Sequence, residues 1–236
     1  MAVAEYRLEA EGIPARVYEP SGASALLLLG HNGTLSKDDA RFVELGRRYA
    51  AEVGLAVVCI DAPAHGERAP QSADAAERLA AVQAEVTGPL DSTVSDWRAV
   101  VTALSSIGPP VAYVGFSMGA MKGLSAIEAM PTIGAAVLGV AGVPSFAGAD
   151  RRPEGSTVPH LEVAARLRPD LSLLMLNATR DDNFRPQDVV ELFSAFRSAD
   201  KRIVFWEADH GDLLEEMVEV STEFLRRQAG LNRPAP

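Results

Sequence analysis

Cysteine is nearly absent from this chain. Cys59 is the only one in 236 residues, so no internal disulfide can form, and its place inside an apolar run reads as a buried, inert thiol. Positive charge is the minority sign, with 22 Lys and Arg against 32 Asp and Glu and a net charge of -10. Nucleic acid phosphates need a basic footprint, so nucleic acid is not expected as a partner. No apolar run is long enough to span a bilayer, and the opening Met1-Ala2-Val3-Ala4-Glu5-Tyr6-Arg7 has no basic segment followed by an apolar core. The expectation is a cytoplasmic protein with no membrane partner. Histidine is scarce as well: there are four, with no His-x-x-x-His pair and no cysteine cluster. Neither a metal nor another cofactor is expected. Gly30-x-x-Gly33 lacks the Lys-Ser/Thr ending of a phosphate loop.

What is present fits an ordinary globular protein. Hydrophobic residues make up 47% and charged residues 23%, and 236 residues suit one domain, 1–236, with a core large enough to need no staples. Strand signals alternate with helix signals. Tyr6 to Val17 reads as one or two edge strands before Pro20-Ser21-Gly22. The continuous apolar runs Ala25 to Leu29, Leu55 to Ile60, Val111 to Val114, Ala135 to Val140 and Leu171 to Leu176 read as strands buried on both faces. A last strand is expected over Arg202 to Trp206.

Between the strands lie helices. Ser36 is placed to cap one from Lys37 to about Val53, with Asp38 and Asp39 in its first turn and Phe42, Leu45, Tyr49 and Val53 on its core face. Pro70 to Val86 reads as a loop and a helix over the top. A further helix starts at Asp91 or Ser92 and runs to about Ile107, and others cover Ala120 to Met130, Pro186 to about Ala199 and Asp212 to Gln228. The pattern is an α/β fold: a mostly parallel sheet with helices on both faces. Residues 143–169, rich in Pro and Gly and weakly periodic, are a candidate lid over a site. On the last helix, Leu213, Met217 and Val220 can pack on the core or on a second copy, which leaves a homodimer open.

Gly115-Phe116-Ser117-Met118-Gly119 stands between a strand and a helix. A sharp strand-turn-helix with Ser at its apex is the context that turns Gly-x-Ser-x-Gly into a nucleophile elbow. Such a turn strains the Ser backbone, so its neighbours must be small. The Met118 N–H then points where an oxyanion would sit. A serine hydroxyl needs a base, and the base an orienting acid. Four histidines are available, of which His31, His65 and His210 follow strands and His160 lies in the candidate lid. Asp181 and Asp182 follow the strand after the next, and Ser, then Asp, then His is the chain order of α/β-hydrolases.

Taken together, the chain resembles the α/β-hydrolase superfamily, more narrowly its small dienelactone-hydrolase-like and bacterial esterase members, over about Leu26 to Leu225. Four landmarks carry the likeness: His31-Asn32-Gly33, the turn Asp61-x-Pro-x-His65-Gly66, the elbow at Ser117, and the loops at Asp181 and His210. By position, the resemblance implies Ser117 as nucleophile, His210 as general base and Asp181, rather than Asp182, as the acid. It implies backbone N–H donors at Met118 and at Gly33, with Asn32, which stands where the family usually has Gly, as the alternative to Gly33. Dienelactone hydrolases proper use cysteine at the elbow, so their particular substrate is not implied.

His65 is then structural, and His31 braces the oxyanion loop or touches substrate. His31, Asn32, Phe116, Phe146 and Phe184 are the candidate pocket residues, and each of these phenylalanines has a plain core role as its alternative. The expected activity is hydrolysis of a small or medium carboxylic ester through an acyl-enzyme, with a small acyl compound as partner. The alternatives are the same site acting on a lactone, thioester, amide, peptide or carbon–carbon bond, and a binding protein on a hydrolase scaffold.

Overall fold

The computed structural model describes residues 2–71, 74–144 and 158–231. Its eight strands are β1 (Val3–Ala10), β2 (Ile13–Pro20), β3 (Leu26–Gly30), β4 (Ala56–Ile60), β5 (Pro110–Phe116), β6 (Ala135–Gly139), β7 (Ser172–Arg180) and β8 (Lys201–Asp209). They form one sheet in the order β1-β2-β4-β3-β5-β6-β7-β8. The β1–β2 hairpin and the β2–β4 contact are antiparallel; every pair from β4 through β8 is parallel. The helices are α1 (Ala40–Val53), α2 (Ala75–Thr87), α3 (Val94–Ala103), α4 (Met118–Ala129), α5 (Pro159–Arg166), α6 (Pro186–Ala195) and α7 (Glu215–Leu231).

The run of four leucines in β3 shows how the layers are built. Successive strand side chains point to opposite faces. Leu26 and Leu28 join Trp97, Val100 and Leu124 under α3 and α4, while Leu27 and Leu29 join Leu45, Tyr49 and Phe224 under α1 and α7. Each buried leucine contributes about 2 kcal/mol of apolar transfer, and a strand covered on both faces needs no alternation of polar residues. Cys59 lies in the second of these layers, and burial pushes its thiol pKa up.

Several boundaries differ from the sequence reading, each for a local reason. Helix α1 starts at Ala40 with Asp39 as its cap, accepting from the Arg41 N–H. Lys37 is not its first residue but a buried cation with its own partners, described below. Helix α3 is shorter than expected, Thr93 preceding its first residue, because the N–H groups of Ser105 and Ile107 bond three residues back and tighten the chain after Ala103. Its buried residues include Trp97 and Val100, with Val101 only half-buried. Helix α6 ends at Ala195, and the Lys201 ammonium caps it by donating to the carbonyls of Phe193 and Phe196. Helix α7 begins at Glu215 because Asp212 belongs to a turn: its carboxylate accepts from the Asp209 N–H. Met217 on α7 is in the core and Val220 is exposed, while Leu213, which precedes the helix, packs against the core.

Strand order reverses around β3, whose successor β4 lies on one side and β5 on the other. Ligands of such sheets sit at that reversal, beyond the carboxyl ends of the strands. There the loops after β3 and β5 are neighbours, Gly30 pairing with Gly115. Of the candidate lid, residues 145–157, and with them Phe146, lie outside the described residues.

Candidate active site

Ser117 sits between β5 and α4 with φ 50° and ψ -116°. For a residue with a side chain this backbone is strained by about 1–3 kcal/mol, and close packing holds it. A Cβ built on Gly115 would lie 2.5 Å from the Gly119 carbonyl oxygen, and one on Gly119 would lie 2.4 Å from that of Gly30. The elbow thus needs both glycines for contact: one lets α4 fold back on β5, the other lets α4 touch the end of β3. The Tyr113 hydroxyl donates to the Gly119 carbonyl at 2.6 Å and ties the first turn of α4 to its strand.

The Ser117 Oγ lies 2.9 Å from His210 Nε2, and His210 Nδ1 lies 2.8 Å from Asp181 Oδ2. Asp181 is buried, and its other oxygen accepts from the N–H groups of Asn183 and Phe184 at 2.8 and 2.9 Å. The next residue, Asp182, is exposed. The His210 side chain keeps a quarter of its surface open to solvent, and the Phe184 ring lies 5.7 Å from it. With Nδ1–H directed at a carboxylate, Nε2 is free to accept the serine proton. Outside the couple, Arg180 bonds Asp209 at 2.8 Å and Glu207 at 2.9 Å, fastening the ends of β7 and β8 together beside Asp181 and His210.

On the far side of Ser117 lies the loop after β3. Met118 is the first residue of α4, so its N–H has no acceptor within the helix and stands at the positive end of the helix dipole. Gly33 adjoins it: a Cβ built there would be 3.6 Å from the Met118 Cβ and 2.6 Å from Val86 Cγ2 on α2. Asn32 turns its side-chain oxygen to the Thr34 N–H.

Two histidines fix this loop. His31 is buried; its Nε2 accepts from the Ala62 N–H at 3.0 Å and its Nδ1–H donates to the Asn32 carbonyl at 2.7 Å. Burial pushes its pKa down to about 4, so the ring is neutral near pH 7. Both nitrogens are occupied, which leaves the ring no polar atom for a ligand. His65 bridges the Pro63 and Gly33 carbonyls, at 2.8 and 3.0 Å. His160 is on α5, partly buried, with its pKa also lowered to about 4 by burial. Phe116 is in the core, edge-on to Phe42. Among the described residues no group of three or more His, Cys, Asp or Glu is placed to hold a metal ion, and no helix is long and apolar enough to cross a membrane.

Sequence reasoning passed over two buried lysines. Lys37 donates from Nζ to Asp61 at 2.8 Å, to Glu67 at 2.5 Å and to Asp38 at 3.0 Å, and Asp61 also accepts the N–H groups of Lys37 and Glu67. This joins the loops after β3 and β4. Lys122, on α4, donates to the Pro89 carbonyl at 2.6 Å and faces Glu85 at 3.3 Å; burial lowers its pKa. Lys122 sits in an apolar helix, which is a signal in itself. Lys37 gave none, since a lysine among polar residues reads as solvent-exposed.

This chain belongs to the alpha/beta hydrolase family, whose profile matches residues 26–234. Its fold is similar to that of a cold-adapted esterase from an Arctic intertidal metagenomic library, at 24% identity and a TM-score of 0.73 over 95% of this chain and 92% of that one. It is similar also to a putative dienelactone hydrolase from Klebsiella pneumoniae subsp. pneumoniae, at 17% identity and a TM-score of 0.71 over 98% and 99%. An esterase from Pyrococcus furiosus gives 16% identity and a TM-score of 0.68 over 97% and 93%. No curated protein matches the chain.

Proposed function

We propose that this protein is a serine hydrolase that cleaves small or medium carboxylic esters through an acyl-enzyme. The observation that carries the reading is the Ser117–His210–Asp181 hydrogen-bonded series, 2.9 and 2.8 Å, at the strained elbow. Ser117 Oγ attacks the ester carbonyl as its proton passes to His210 Nε2. Asp181 holds the Nδ1–H and stabilises the imidazolium that forms. The N–H groups of Met118 and Gly33 receive the developing oxyanion, each donor worth on the order of 3 kcal/mol in the transition state. The alcohol leaves with the proton from His210. Water then attacks the acyl-serine, with His210 as its base, and Ser117 is restored.

The test is labelling with a fluorophosphonate and mapping of the adduct, followed by a panel of ester, lactone, thioester and amide substrates. Such probes need an activated serine. The expected result is an adduct on Ser117 that His210→Ala abolishes, with turnover greatest on esters. Well-folded protein that takes no label, or that turns over esters as Ser117→Ala, would reject the mechanism.

A further inference from the structure

Helix α2 follows β4 and its connecting loop, and no residue of it is buried. A helix that covers no core still needs a reason to be where it is. Its C-terminal end is held: Glu85 accepts from the Ser92 hydroxyl at 2.6 Å and faces Lys122 Nζ at 3.3 Å, and Lys122 stands on α4, five positions beyond Ser117. This fastening sets Val86 over Gly33, against the loop beside Met118. Val86 nevertheless stays 42% exposed, and Leu79 stays 58% exposed. Leu79, Val82 and Val86 are spaced i, i+3 and i+7, so they form one edge of the helix. From Val86, the end set against Gly33, to Leu79 that edge is about 10 Å long, seven residues at helical rise.

We propose that this edge of α2 is the track on which the hydrocarbon arm of the substrate lies, with Val86 at its inner end and Leu79 at its outer end. The proposal rests on the serine-hydrolase reading and adds to it a substrate class: esters with an unbranched arm of medium length. Three observations favour this occupant. The edge is continuous with the loop that adjoins Ser117. Its side chains stand in water, Val86 42% and Leu79 58% exposed, so a hydrocarbon laid on them takes apolar surface out of water on both partners. It is also pinned through a buried lysine to the very helix that carries the serine, which keeps a wall in register with the reacting atom. A longer arm covers more of the apolar edge and gains more from leaving water.

Two ester series decide it, one varying the acyl chain from acetate to octanoate on p-nitrophenol, the other varying the alcohol on acetate. They are run on the wild type, Leu79→Ser and Val86→Ser. In whichever series the arm belongs, the long-to-short ratio of kcat/KM is expected to fall about tenfold in Val86→Ser, the size of effect that a lost methylene-scale contact produces, and less in Leu79→Ser. Leu79→Phe should raise it. An unchanged ratio in both series while short esters are still turned over overturns the track and leaves the hydrolase reading standing. Wild-type protein that turns over no ester and takes no fluorophosphonate at Ser117 removes both. A lower melting temperature for Leu79→Ser, or its conversion from dimer to monomer, also overturns the proposal, because the edge is then covered by protein rather than by substrate.

Discussion

Two carboxylates sit buried just beyond the carboxyl ends of strands in this sheet, and they are held in much the same way. Asp61, after β4, accepts two backbone N–H groups, from Lys37 and Glu67. Asp181, after β7, accepts two as well, from Asn183 and Phe184. They differ in the cation-forming partner. Asp61 faces the Lys37 ammonium, itself 1% exposed, whereas Asp181 faces an imidazole that keeps a quarter of its surface in solvent. A permanent charge pair, once buried, fixes two loops and does nothing else. An imidazole partner has a second ring nitrogen, here 2.9 Å from the Ser117 Oγ. The same turn chemistry therefore gives a buried clamp on one side of Ser117 and an imidazole held against Ser117 on the other, and the difference lies in one side chain.

The sharpest way to break the comparison is to neutralise each carboxylate. Asp181→Asn is expected to lower kcat on a short ester about ten-thousandfold, because an amide supports the wrong imidazole tautomer, while the urea midpoint moves little. Asp61→Asn is expected to act in the opposite way. It removes the fully buried one of the three carboxylates around the Lys37 ammonium, leaving the more exposed Asp38 and Glu67, and should cost about 1–3 kcal/mol of stability, read as a fall in the urea midpoint. The double variant Lys37→Met/Asp61→Asn should recover part of that loss, since the buried ammonium is then gone. A loss of activity without loss of stability in Asp61→Asn would show that the clamp reading of Asp61 is wrong.

Acid separates the two sides as well. His31 has its pKa depressed from 6.5 to about 4 by burial, so the unfolded chain binds more protons than the folded one between those values. Stability from this group is fully present above about pH 6.5 and is lost as the pH falls toward 4, an effect on the order of 3 kcal/mol. His160 contributes in the same direction. The melting temperature should fall more steeply between pH 6.5 and 4 in the wild type than in His31→Gln. Equal slopes would mean that the neutral form of His31 is not what the loop requires.

How much of this was legible in the sequence follows from the same contrast. The elbow could be read because its requirements are local: strand, strained serine, and glycines where an added Cβ would meet neighbouring backbone at 2.5 Å or less. The strands could be read because burial on both faces leaves continuous apolar runs. Chain order narrows the residue facing His210 to two adjacent aspartates and the family resemblance points to Asp181; the turn puts Asp181 inward and leaves Asp182 in solvent. The Lys37–Asp61 pair spans 24 positions and carries no periodic signal, so the reading placed Lys37 in a helix that starts three residues later. For Phe116 the sequence leaves a pocket role and a core role both open; strand alternation puts its ring in the core layer beneath α1, edge-on to Phe42. The nearness of α2 to Gly33 is a tertiary contact with no trace in local pattern.

The smallest effect is expected at the surface fastening next to the imidazole side. Arg180 joins Asp209 and Glu207 with all three side chains at least half exposed. Exposed pairs of this kind contribute between zero and about 1 kcal/mol, so Arg180→Gln should leave the urea midpoint within that range, and less still at high salt. Its use is to sharpen the comparison, because Arg180 adjoins Asp181 in sequence and Asp209 adjoins His210. If the imidazole side depends on buried contacts alone, kcat on a short ester stays near the wild-type value at every salt concentration. If kcat in the wild type falls with added salt and Arg180→Gln removes that dependence, the surface pair holds the imidazole in line, and the imidazole side is then the one set by screened, exposed charges while the clamp side is set by buried ones.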